Sequence, residues 1–191
     1  MTGTLSDVEL AVRESVALLA PHTGADWSVP AGSLTWSCRE TAAHIAHDLL
    51  AYAGQVTGAA GGGYLPFDLT VHQDADPAEL LRVITACGRL LGTQLAAADP
   101  ADRAWHWGPT DPSGFAAMGT AEVLLHTTDI AGGLGLDWRP PAGPSARVLE
   151  RLFPQAPAGD PVDVLLWQTG RGELPGRERL TSWVWKAALN D

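Results

Sequence analysis

The sequence predicts an all-α protein: a four-helix bundle followed by a small C-terminal appendage of helices and a short strand. Three observations carry that prediction. Four segments repeat apolar residues every three or four positions, three of them open on a capping signal, and Pro- or Gly-rich stretches separate them. These limits divide the chain into a bundle over 1–139 and an extension over 140–191 packed on it.

The first helix runs from residue 6 to about 19. Val8, Ala11, Val12, Val16, Leu18 and Leu19 keep helical spacing, Ser6 serves as N-cap with Glu9 completing a capping box, and Pro21 lies past the end. The second opens near Ser37, again with a glutamate, Glu40, three residues on, and continues to about 57. Its apolar positions Cys38, Ala42, Ile45, Leu49, Tyr52 and Val56 make the narrow stripe of a helix that faces other helices. The stretch 58–63 breaks this pattern, and the run through Tyr64, Pro66 and Asp74 reads as a long crossing loop. Asp76-Pro77 opens the third helix, because Asp can cap and Pro is tolerated at the first helical position; Leu80, Leu81, Ile84, Cys87, Leu91 and Leu95 supply its buried face. After a loop carrying Trp105, His106, Trp107, Pro109 and Pro112, the fourth helix reads over 113–130, with Gly132, Gly133 and Gly135 closing it. In the extension, 145–153 and 162–169 look helical and 180–186 reads as a short strand.

Composition narrows the function. A chain of 191 residues, 46% hydrophobic and 18% charged, buries a core without staples, and no stretch approaches the roughly 20 apolar residues of a membrane span. A formal charge of −10 leaves no basic face for nucleic acid or an anionic membrane, so a small molecule is the expected partner. Cys38 and Cys87 are the only cysteines, and Met1-Thr2-Gly3-Thr4 begins no basic-then-apolar leader, which fits a reducing cytoplasm. Both thiols fall on apolar stripes, where they behave as small hydrophobes rather than nucleophiles. Gly61-Gly62-Gly63 lacks the strand and helix of a phosphate-cradling loop, and no serine sits in a nucleophile elbow.

Glu122 and His126 stand four residues apart on the fourth helix, so both leave one face and can reach a single ion. The same spacing also describes an ordinary surface pair. His44, on the second helix, is embedded in Thr41-Ala42-Ala43-His44-Ile45-Ala46, where small neighbours let another helix approach; it reads as a third ligand or as a hydrogen-bonded core histidine. His47 and Asp48 follow one turn on, His47 as a proton shuttle or as an exposed residue. Trp105, His106 and Trp107 either edge a pocket or cover the end of the bundle.

The segment from Trp36-Ser37-Cys38-Arg39-Glu40-Thr41 to Ala42-Ala43-His44-Ile45-Ala46 resembles the second-helix segment of the DinB-like superfamily, in its branch of mycothiol-dependent maleylpyruvate isomerases and mycothiol S-transferases. Gly114-Phe115-Ala116-Ala117-Met118, followed by Glu122 and His126-Thr127-Thr128-Asp129, resembles that branch's fourth-helix segment. Asp163 to Arg171, through Trp167-Gln168-Thr169-Gly170, is similar to a segment common there. The resemblance implies an up-down-down-up bundle and makes His44, Glu122 and His126 the ligands of a divalent ion, zinc. It implies mycothiol as thiol cosubstrate and S-transfer or thiol-assisted isomerisation of a small electrophile. The chain is expected to be a monomer or homodimer. Two imidazoles and one carboxylate leave an open coordination position, as catalytic zinc requires. Arg171 is the candidate receptor for a substrate carboxylate, its alternative being a surface salt bridge. Two rival readings keep the fold and change the chemistry: a non-catalytic binder or scaffold, and a metalloenzyme of specialised metabolism that uses no thiol.

Overall fold

Hydroxyl and carboxylate caps start the helices where the sequence places them. In the computed structural model, which describes residues 6–59 and 61–189, α1 (Asp7–Leu19) begins with the Ser6 hydroxyl accepting from the Glu9 N–H while the Glu9 carboxylate accepts from the Ser6 N–H. The leader expectation for residues 1–4 lies outside the described residues. The same reciprocal box, Ser37 with Glu40, opens α2 (Cys38–Gly58), and Asp76 with Glu79 opens α3 (Pro77–Ala97), which has Pro77 in its first turn. Asp111 caps α4 (Pro112–Leu134) by accepting from the Gly114 N–H. Each box satisfies donors that a helix start would otherwise leave unpaired.

α1 and α2 each pack against both α3 and α4. Leu19, Ile45, Leu49, Ile84, Leu91 and Phe115 are fully buried in the core between them. α4 is covered by α1 and α2 and also by α5 (Ala142–Leu152), so it is buried nearly all round. A helix enclosed in this way is mostly apolar on every face, and Glu122, His126 and Asp129 lie in the interior. α6 (Pro161–Gln168) packs on α5. No helix among the described residues is long and apolar enough to cross a membrane.

The structure departs from the sequence reading at three places. A two-stranded antiparallel hairpin, β1 (Ala104–Trp105) with β2 (Pro109–Thr110), precedes α4; strands of two residues carry no legible alternation. Gly132 and Gly133 do not close α4 but lie within it, and the cap is Gly135, at φ 68°. Glycine is needed within the helix because the loop before α2 crosses it there: a Cβ on Gly133 would meet the Pro30 carbonyl oxygen at 2.3 Å and the Cys38 sulfur at 2.7 Å. Gly133→Ala should therefore destabilise the protein by about 2–3 kcal/mol in urea unfolding despite the better helix propensity of Ala. Gly24→Ala, with open space around the new methyl, should stay within about 0.5 kcal/mol.

The third departure is the tail. No strand forms over 180–186; the burial of the segment alternates from Trp183 to Ala187, but its backbone pairs with no neighbouring strand. The Lys186 N–H donates to the Leu152 carbonyl at the end of α5, and the Leu189 N–H to Pro109 in the hairpin. Arg151 ties the tail down further, donating to the Ala187 carbonyl at 2.6 Å and to Asp111 at 2.8 Å. The Trp-Val-Trp alternation reflects a chain laid over a cavity rather than a sheet edge.

Candidate metal centre

Glu122 and His126, one turn apart on α4, face His44 on α2 across the interior. His126 Nε2 lies 3.2 Å from Glu122 Oε2, and His44 Nε2 lies 3.8 Å from the same oxygen. One ligand atom from each of the three residues falls within 4.8 Å of the others. Donors placed tetrahedrally at zinc distances stand roughly 3.3 Å apart, so this spacing and donor set fit such an ion. His44, His47 and Asp48 form a second trio within the same span, sharing His44, but it lies on one helix and none of its members is fully buried.

Glu122 and His126 each have a partner behind them, whereas Asp48 stands beside the nitrogen of His44 that faces the cluster. The Tyr52 hydroxyl donates to Glu122 Oε1 at 3.3 Å, which leaves Oε2 turned toward the imidazoles. His126 Nδ1 pairs with Asp129 Oδ2 at 3.0 Å, so its Nε2 faces the cluster. Arg171 closes a fork on that carboxylate, Nε to Oδ1 at 2.9 Å and Nη2 to Oδ2 at 2.7 Å, and gives Nη1 to the Thr169 carbonyl. Asp48 approaches His44 Nε2 at 3.4 Å and His47 Nδ1 at 2.8 Å, and His47 Nε2 reaches Asp68.

These contacts set the charges. Burial alone would push the Glu122 carboxyl up, but the hydrogen bond and charge of His126, joined by His44, hold it below the ordinary glutamate value. Burial likewise opposes charge on His126, yet Asp129 and Glu122 outweigh it and raise its pKa to about 9. His44 is lowered, burial winning over the attraction of Glu122. Burial and the neighbouring Glu122 carboxylate raise Asp48 to about 7. A low-dielectric interior amplifies all of these couplings.

The cluster lies on a cavity of about 600 Å³. Its walls are His106 and Trp107 from the turn of the hairpin and the tail from Trp183 to Ala188. His44, Glu122 and His126 come together as the sequence reading expects. His47 stands one step behind them. Arg171 also lines the cavity, with its guanidinium engaged by Asp129. Trp105 is not among the lining residues, and its carbonyl accepts from Gln55. Cys38 and Cys87 are buried free thiols whose pKa values burial pushes up.

Sequence reasoning missed Asp129, Asp48 and Tyr52. Asp129 and Asp48 follow histidines at three and four residues, the spacing that draws helical side chains together. Tyr52 reads as one more apolar position because nothing local marks its hydroxyl as a partner for Glu122.

No curated protein and no solved structure matches the chain. A family model does, that of the mycothiol maleylpyruvate isomerase N-terminal domain, over residues 8–131, a span that contains α2, α3, the hairpin and His44, Glu122 and His126. With well over half of its length inside that match, the chain belongs to the mycothiol maleylpyruvate isomerase N-terminal domain family, within the DinB-like superfamily.

Proposed function

We propose that His44, Glu122 and His126 hold a divalent cation, zinc, and that the chain is an enzyme acting with a low-molecular-weight thiol such as mycothiol. The reaction is S-transfer to, or thiol-assisted isomerisation of, a small electrophile. The observation that carries this reading is the approach of two imidazole Nε2 atoms to one carboxylate oxygen at the edge of an open cavity. Family membership supports the thiol. A cation bound there supplies the Lewis acidity that lets a thiol of ordinary pKa, about 8.5, ionise near neutrality.

The chain's own residues prepare the site. Tyr52 fixes the carboxylate of Glu122, Asp129 fixes the ring of His126, and Arg171 fixes Asp129. In this reading Arg171 is a positioning residue, since a substrate carboxylate would have to displace Asp129 from its fork. Neither cysteine contributes, so the nucleophile comes from outside the chain. The same reading takes the first four long helices as the up-down-down-up bundle of the superfamily, residues 1–139, with 140–191 as an extension that walls the cavity. The two free cysteines favour a cytoplasmic setting.

Elemental analysis of the protein purified without chelators tests the reading. Near-stoichiometric metal is expected in the wild type and little in His44→Ala or His126→Ala, with circular dichroism unchanged. Turnover of an electrophile should then require both thiol and metal. Wild-type metal content in both variants would overturn the ligand assignment.

A further inference from the structure

Six large apolar side chains are exposed among the described residues, and four of them gather around the cavity. Trp107, 81% exposed, and Val184, 86% exposed, line it directly. Tyr64 stands edge-on to Trp107 with ring centroids 6.2 Å apart, and the Trp36 ring lies 4.8 Å from that of His44. Exposed apolar groups scattered singly need no explanation, but a cluster at one cavity marks a binding surface.

The backbone holds this surface deliberately. Trp107 sits at φ 55°, a left-handed conformation that bulky residues rarely adopt and that persists only where the surroundings impose it. Gly108 follows at φ 145°, and a Cβ on it would meet the Ala188 Cβ at 2.8 Å, so the hairpin turn and the tail are in close contact. Trp183 and Trp185, 5.5 Å apart between centroids, lie on the tail and line the cavity as well.

The lining offers a small dicarboxylate no unengaged guanidinium fork. Glu122 supplies a carboxylate, and the guanidinium of Arg171 is already held in a fork by Asp129. Lys186 brings one ammonium to the lining, a point charge without the planar fork that recognises carboxylates bidentately.

We infer that the electrophile accepted here carries a flat apolar body, an aromatic or conjugated ring that packs against the indoles of Trp107 and Trp185, and is not a small dicarboxylate. This rests on the reading of the site as one where an external thiol attacks. For a halogenated ring the thiol sulfur forms the new carbon–sulfur bond, halide leaves with the bonding pair, and the thiol proton passes to solvent.

Two thioether products serve as probes in calorimetric titrations, S-(2,4-dinitrophenyl)-N-acetylcysteine and S-(1,2-dicarboxyethyl)-N-acetylcysteine. The dinitrophenyl conjugate should bind at least about tenfold more tightly, and Trp107→Ala and Trp185→Ala should each weaken it up to about tenfold. Trp107→Phe should retain most of the affinity, and Lys186→Ala should leave the preference in place. Metal content, measured on the same samples, should not change in these variants. Equal or tighter binding of the dicarboxyethyl conjugate, or wild-type affinity in both alanine variants, would overturn the inference. The two assignments fail separately: metal content reads the ligand trio, and the preference between conjugates reads the aromatic walls.

Discussion

Asp129→Asn should lower metal affinity by about 10–100-fold and destabilise the fold by about 3–5 kcal/mol. The first effect follows from the pairing with His126. Asp129 accepts at Nδ1 and so fixes which nitrogen faces Glu122 and His44; an asparagine can present its amide group there instead and leave the ring free to rotate or change tautomer. The second follows from Arg171, whose side chain is only 11% exposed and whose fork closes on the same carboxylate. Neutralising Asp129 strands a buried guanidinium, which costs far more than a surface ion pair is worth. Thermal unfolding should shift down by roughly 6–20 °C for a chain of this length. Asp129→Asn combined with Arg171→Met removes both charges and should recover part of the stability, but not the metal affinity. Competition with a chromophoric chelator measures one quantity and the melting temperature the other. Wild-type values of both in Asp129→Asn would reduce Asp129 to a bystander.

The helices were legible because their signals are local. Ser6 with Glu9, Ser37 with Glu40 and Asp76 with Pro77 lie within four residues of one another, and the structure starts α1, α2 and α3 at these caps. The candidate trio was half legible. Four-residue spacing puts Glu122 and His126 on one face, but only packing between α2 and α4 brings His44 to them, and the residues themselves carry that fact through family resemblance alone. Arg171 shows where sequence reasoning stops. The sequence reads it as a receptor for a substrate carboxylate or as a surface salt bridge, but its partner Asp129 lies 42 residues away on a helix that no local pattern connects to it. The end of α4 failed for a related reason: glycines at 132 and 133 look like a terminator until the Pro30 carbonyl that crosses them is known. The aromatic walls depend on a hairpin turn and a tail far apart in the chain, with backbone contacts no periodicity encodes.

Metal-stripped protein should lose stability as pH rises from about 6.5 to 9, and metal-loaded protein should not. His126 has an ordinary pKa of 6.5 and a folded value of about 9: burial opposes its charge, but Asp129 and Glu122 hold the proton on. A group whose pKa is raised by folding stabilises the fold fully below its unfolded value and loses that contribution as pH climbs through the folded one. The difference corresponds to about 3 kcal/mol, lost across the window from 6.5 to 9. Asp48, raised from 3.8 to about 7 by burial and Glu122, adds a slope of the same sign between about 4 and 7. Glu122, lowered in the folded state, contributes in the opposite sense and only in acid, where its stabilisation is lost as pH falls. A cation at the trio requires His126 Nε2 without its proton, so loading removes the His126 slope and each pH unit below about 9 weakens apparent metal affinity by up to tenfold. The gap in stability between loaded and stripped protein should therefore widen from pH 6.5 to 9. Urea unfolding at a series of pH values, with metal and after chelation, measures it directly. A flat profile in the stripped protein would mean that His126 does not keep its proton in the folded chain, and that the Asp129 and Glu122 carboxylates stabilise it less than their distances imply.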